Sequence, residues 1–66
     1  MSYVRYSDNN IGKKVELTEV KDSLNGFFEK GSVVTIVEVD NLRGYSFEDE
    51  FGNRVKEAGF DGFKEL

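Results

Sequence analysis

The stretch SVVTIVEVD at residues 32–40 decides the fold class of this chain. Five β-branched aliphatic residues and one threonine fall within seven positions, a composition typical of β-strands. The alternating side chains of a strand put aliphatic residues on both faces, with Val34 and Ile36 on one and Val33, Val37 and Val39 on the other. One face can line a core, so the opposite face needs a cover.

Two covers for that second face remain open. The first is the aromatic N-terminal segment of the same chain, Tyr3 to Tyr6 within residues 1–12. The second is another molecule, which would make the protein a homodimer. The sequence does not decide between them.

The segments that flank residues 32–40 predict further short strands. Val15 and Leu17 alternate with polar residues, which predicts a strand over residues 13–20. Val20 falls on the wrong face for that alternation, and this indicates a bulge or the start of a loop near Glu19. Residues 40–44, DNLRG, are typical of a turn, and Asn41 or Gly44 can take the positive φ that a turn needs.

A register argument predicts how the segment GYSFEDEFGNRV at residues 44–55 closes into a hairpin. Tyr45 and Phe47 share one face. A loop over residues 49–53 sets Phe47 opposite Val55, and it sets Glu48 beside Arg54 on the outside. The same loop leaves Phe51 at the hairpin tip, apolar and exposed.

Two segments predict irregular structure. KDSLNGFFEK at residues 21–30 carries an Asn25-Gly26 turn signal and indicates a long excursion rather than a strand. Gly59 and Gly62 stand too close together for an α-helix, so Phe60 to Phe63 predict a single 3₁₀ turn. Residues 64–66 then form a last short strand.

Together these elements predict one all-β domain over residues 1–66. Their order looks like a five-stranded SH3-like barrel with a long first loop and a 3₁₀ turn before the last strand. The stretches KGSVVTIVEVD, GYSFEDEFGNRV and GFDGFKEL also resemble small SH3-like proteins encoded by phages and prophages of Gram-positive bacteria. The predicted core consists of eight apolar residues: Val15, Leu17, Val34, Ile36, Phe47, Val55, Phe63 and Leu66.

The resemblance covers about the last two thirds of the chain, and it implies protein binding without catalysis. It does not carry over a site for proline-rich peptides. Such a site uses Trp and Pro, whereas this chain has neither, and Tyr45 stands roughly where the Trp would be. A basic loop of the kind that faces RNA in translation proteins is not evident either.

Composition points to the same class of function. The 66 residues include no Cys and no His, which removes the best nucleophile, the commonest general base and the commonest metal ligand. We therefore expect no enzyme activity, no cofactor and no metal. The net charge is −4, and this argues against binding to nucleic acid or to an anionic membrane surface. The N-terminal residues lack the apolar stretch of a secretory signal, so we expect a cytoplasmic protein, in the host cytoplasm if a phage encodes it.

Two groups of residues are candidates for a partner-binding surface. The first is an aromatic groove, and its members are Tyr3, Tyr6, Phe27, Phe28, Tyr45 and Phe60. The alternative is a purely structural role, in which Phe27 or Phe28 closes the barrel end while the neighbouring ring packs on an N-terminal tyrosine.

The second group is an acidic hairpin, and its members are Glu48, Asp49, Glu50 and Phe51. It could mimic nucleic acid and inhibit a nucleic-acid-binding protein. The alternative is a solvated hairpin with no binding role, whose charges keep the protein soluble. The sequence thus leaves three hypotheses: a protein-binding module, a nucleic-acid mimic and a structural homo-oligomer.

Overall fold

A computed structural model of the protein describes residues 9–23 and 26–66. This part of the chain is all-β and forms seven strands: β1 (Lys14–Leu17), β2 (Lys21–Ser23), β3 (Gly26–Phe28), β4 (Val33–Asp40), β5 (Gly44–Glu48), β6 (Arg54–Val55) and β7 (Phe63–Glu65). Its residues include no helix that could cross a membrane. The aromatic segment Tyr3 to Tyr6, one of the two predicted covers, lies outside the described residues.

Five strands form one antiparallel sheet in the order β6-β5-β4-β1-β7, and β2 pairs with β3 in a sheet of its own. The last strand therefore returns to the first, as Leu17 lies opposite Phe63. Strand β1 ends at Leu17, earlier than predicted. Val20 is exposed beyond it, in agreement with a loop near Glu19.

The core contains the apolar residues of alternate strand positions. Six residues of the predicted core are the six largest fully buried side chains: Val15, Leu17, Val34, Ile36, Phe47 and Val55. Phe63 is partly buried against them. The prediction for Leu66 is wrong, since this side chain is 65% exposed. Residues 63 and 66 are three positions apart in an extended chain, and an odd spacing puts them on opposite faces.

Strand β4 contains a bulge that changes the expected alternation. Ile36 lies opposite Phe47 and Glu38 opposite Ser46, so Val37 is the extra residue. Beyond the bulge, Val39 lies opposite Tyr45 and packs against the core. The prediction that Val39 faces away from Val34 and Ile36 is therefore wrong.

Residues 21–30 are not the strandless excursion that the sequence indicated. Lys21 pairs with Phe28 and Asp22 with Phe27 in the β2–β3 hairpin. Lys21 and Phe28 are buried, whereas Phe27 is exposed. A lysine at an inward position hides the alternation, because an apolar pattern does not reveal a strand whose first inward side chain is charged.

The predicted 3₁₀ turn is also wrong. Gly62, inside the predicted turn, has a φ of 85°, whereas a 3₁₀ helix needs a negative φ at every residue. Phe63 instead begins β7, and Gly59, just before the segment, pairs with β5: the Gly59 N–H donates to the Arg43 carbonyl at 2.9 Å and the Tyr45 N–H donates to the Gly59 carbonyl at 2.8 Å.

The hairpin of β5 and β6 has the predicted register. Phe47 lies opposite Val55, and Glu48 lies opposite Arg54. Its loop spans residues 49–53, and Phe51 at the tip is exposed. The predicted turn before β5 is present too, with Gly44 at a φ of 102°.

Candidate protein-binding surface

A groove separates the two hairpins, and we call it the hairpin groove. One wall is strand β3, with Gly26, Phe27 and Phe28. The other wall is the β5–β6 hairpin, with Asp49, Asn53, Arg54 and Val55. Its volume is about 210 Å³. A cavity of about 150 Å³ holds a benzene molecule, so the groove has room for an apolar side chain of a partner.

Phe27 and Phe28 have opposite environments although they are neighbours in the chain. Phe28 faces inward in strand β3 and belongs to the core cluster. Phe27 faces outward and is 62% exposed at the rim of the groove. The alternation of β3 thus anchors the strand with one ring and presents the other to solvent.

The carboxylate of Asp49 organises the loop that carries Phe51. Its Oδ1 accepts hydrogen bonds from the Phe51 N–H and the Asn53 N–H, both at 2.9 Å. Its Oδ2 accepts a third from the Asn53 side-chain amide, also at 2.9 Å. The loop is closed further by the Asp49 N–H, which donates to the Asn53 carbonyl at 3.0 Å. Phe51, 82% exposed, therefore projects from a hydrogen-bonded loop.

The charges of the predicted acidic hairpin are largely engaged within the hairpin. The Asn53 side-chain amide, helped by the backbone N–H groups of Asn53, Phe51 and Gly52, lowers the pKa of Asp49 below its usual range. Arg54 pairs with Glu48 at 3.2 Å. Glu50 is exposed. Two of the three contiguous carboxylates are thus bound to groups of their own hairpin, which weakens the argument for a nucleic-acid mimic.

The described residues of the predicted aromatic groove do not form one exposed surface. Tyr45 is 5% exposed, because it lies on the same face of β5 as Phe47 and points into the core. Its ring packs edge-to-face on Phe60 and Phe63, with centroid distances of 5.6 Å and 5.5 Å. Tyr45 and Phe28 are therefore core residues, and Phe60 is a partly exposed ring packed on Tyr45. Tyr3 and Tyr6 lie outside the described residues.

A second groove of about 220 Å³ lies next to the same loop. It is formed by strands β1 and β4 and by the end of β5, and its residues are Lys14, Val33, Val34, Thr35, Glu48, Asp49 and Glu50. Val33 is half exposed there, on the apolar outer face of β4. Asp49 lines both grooves, so the loop of residues 49–53 stands between them.

Sequence reasoning missed the groove residues Asn53 and Arg54 and the buried Lys21. The acidic run drew attention to residues 48–51, although the hairpin register already put Arg54 beside Glu48. Lys21 had no such signal, because a two-residue turn at Asn25-Gly26 would pair Lys21 with Lys30, whereas the hairpin pairs Lys21 with Phe28. Asn25 itself lies outside the described residues.

Within residues 9–23 and 26–66 no group of three or more Asp or Glu side chains is arranged to hold a metal ion. Comparisons with models of protein families, with curated proteins and with solved structures found no match to this chain. The geometry of the hairpin groove is therefore the basis for the functional argument.

Proposed function

We propose that this protein is a non-catalytic protein-binding module built on an SH3-like barrel. The order of the five main strands supports the fold, because β1, β4, β5 and β6 are consecutive neighbours and β7 returns to β1. The β2–β3 hairpin then takes the position of the long first loop. Closure of the two sheets into one barrel is part of the proposal.

The observation that carries the proposed function is the pair of exposed phenylalanines beside the hairpin groove. Phe27 lies on one wall, and Phe51 lies in the loop whose two ends, Asp49 and Asn53, line the other wall. Aromatic residues are enriched in protein interfaces, and a Phe buries about 150–250 Å² when a partner covers it. A protein partner with an apolar side chain for the groove would cover both rings.

The loop around Phe51 is suited to this role because it is ordered before binding. Five hydrogen bonds join Asp49 to residues 51–53, including one from the Gly52 N–H to the Asp49 carbonyl at 3.2 Å, and they fix the backbone on both sides of the ring. Ordering a loop upon association costs free energy, so a loop that is already ordered binds more tightly for the same contacts.

The resemblance to SH3-like phage and prophage proteins supplies the biological setting of the proposal. A protein of this kind would act in the cytoplasm of a Gram-positive host and bind a host or phage protein. A protein partner, rather than nucleic acid, fits the net charge of −4 and the exposed apolar rings.

Affinity capture from a Gram-positive host extract tests the proposal. The bait is the purified protein, compared with a Phe27→Ser/Phe51→Ser variant at low and at high salt. We expect a partner that the wild type retains and the double variant loses. Retention should change little with salt, because apolar contacts are not screened by ions.

The matched control is Leu42→Ser, which removes another exposed apolar side chain, from the turn before β5. This variant should retain the partner as the wild type does. Equal retention by the double variant and Leu42→Ser would contradict the proposed surface. Capture that disappears at high salt and survives the double variant would favour the nucleic-acid mimic instead.

A further inference from the structure

The β2–β3 hairpin is a separate sheet, and the buried residue Lys21 attaches it to the rest of the protein. Lys21 lies opposite Phe28, and both side chains point inward. Lys21 is only 5% exposed. Lysine is almost never buried to this extent unless its ammonium group has partners.

The partners of Lys21 lie outside the hairpin. Its Nζ donates to the Ala58 carbonyl at 2.7 Å and to Oε2 of Glu19 at 3.1 Å. Ala58 is held on β5, because its own N–H donates to the Tyr45 carbonyl at 2.8 Å. The bond from Lys21 to Ala58 thus joins the hairpin to the main sheet, and Glu19, two residues before Lys21, pairs with the same ammonium group. We call these three residues the Lys21 latch.

The position of the hairpin decides the shape of the hairpin groove. Strand β3 is one wall, with Phe27 at the rim, whereas Val55 of the main sheet lies on the other wall. Displacement of the hairpin would widen the groove and uncover Phe28 and Val55, which are both buried.

We propose that the Lys21 latch controls the opening of the hairpin groove. With the latch closed, Phe27 is held at the rim and the groove keeps its present size. With the latch open, the β2–β3 hairpin moves as a unit away from β6, as locally cooperative segments of proteins do. The opening itself does not depend on a partner, whereas its effect on binding rests on the proposed function.

Amide hydrogen exchange of wild type and Lys21→Met tests the latch. Methionine keeps the apolar length of the side chain but has no donor for the Ala58 carbonyl or the Glu19 carboxylate. Loss of a partner for a buried polar group predicts about five- to hundredfold faster exchange of the amides bonded within β2–β3. The exchange rates of the amides in β4 and β5 should change far less.

Two further variants supply a control outside the latch and a test of the Glu19 pair within it. Lys13→Met also removes a lysine that pairs with a carboxylate, Glu65 at 3.0 Å, but this pair lies on the surface, so exchange in the hairpin should not change. Glu19→Gln removes the exposed acid and keeps the bond from Lys21 to Ala58. Its effect should be smaller than that of Lys21→Met.

Wild-type exchange in rising concentrations of urea keeps the proposal testable if Lys21→Met does not fold. The β2–β3 amides should exchange through an opening that needs less urea than the opening of β4 and β5. Exchange of all strands through one common opening would overturn the latch. Unchanged hairpin exchange in a folded Lys21→Met would overturn it as well.

The effect on binding is measured separately, with the partner isolated through wild-type bait. Lys21→Met should bind that protein less tightly than Lys13→Met does, because Phe27 is no longer held in place. Equal affinities would remove the link between latch and groove while the exchange data still decide whether the latch exists. Failure to capture any partner would count against the proposed function only.

Discussion

At the scale of single residues, Gly44 and Gly59 determine where the last loop can lie. The two glycines pair in a parallel bridge, and a methyl group on Gly44 would overlap the backbone of Gly59. Gly44 also has a φ of 102°, which other residues rarely adopt. This contact places Ala58, the acceptor of Lys21, against β5.

Gly44→Ala should therefore destabilise the protein by about 3 kcal/mol or more, from the left-handed backbone and the overlap together. Urea denaturation measures the change through the midpoint. The control is Gly31→Ala, at a φ of 92° with open space around the site, which should cost only about 1–2 kcal/mol. Equal midpoints for the two variants would show that the Gly44–Gly59 contact is not as close as described.

At the scale of the elements, the hydrogen bonds of Asp49 link the shape of the β5–β6 loop to pH. Its pKa in the folded protein lies below the ordinary 3.8, chiefly because the Asn53 amide donates to the carboxylate. The hydrogen bonds to the ionised Asp49 carboxylate contribute to the free energy of unfolding. This contribution is complete above pH 3.8 and is lost as the pH falls through the lower pKa of the folded protein.

Asp49→Asn should therefore lose less stability than the wild type when the pH is lowered below 3.8. Asp40→Asn should act in the same direction, because the backbone N–H groups of Leu42 and Arg43 lower the pKa of Asp40. Thermal melts between neutral pH and the acid range measure the effect. An Asp49→Asn variant with the acid dependence of the wild type would contradict the described loop.

The elements that the sequence predicted best are those in which buried apolar residues fix the register. The Phe47–Val55 pairing predicted the β5–β6 loop, because a shift by one residue would have turned these side chains to solvent. The bulge at Val37 was not predictable from alternation, since valines occupy both faces of β4. The predicted aromatic groove mixed core residues with exposed ones, because adjacent aromatics such as Phe27 and Phe28 carry no signal of which one points inward.

At the scale of the whole molecule, a small core holds two sheets together, and the surface area that it buries is small. A domain of this size buries only about 60% of the surface that its unfolded chain exposes. It nevertheless leaves Phe27 and Phe51 in solvent while six smaller or similar side chains are fully buried. Under the proposed function, a protein partner covers these two rings.

Site-specific photocrosslinking shows whether one partner protein covers both rings. A benzophenone amino acid replaces Phe27, Phe51 or, as a control, Leu42, and the protein is irradiated in host extract. We expect positions 27 and 51 to crosslink to the same protein and position 42 not to crosslink to it. Different products from positions 27 and 51, or the same product from all three, would contradict a binding surface at the hairpin groove.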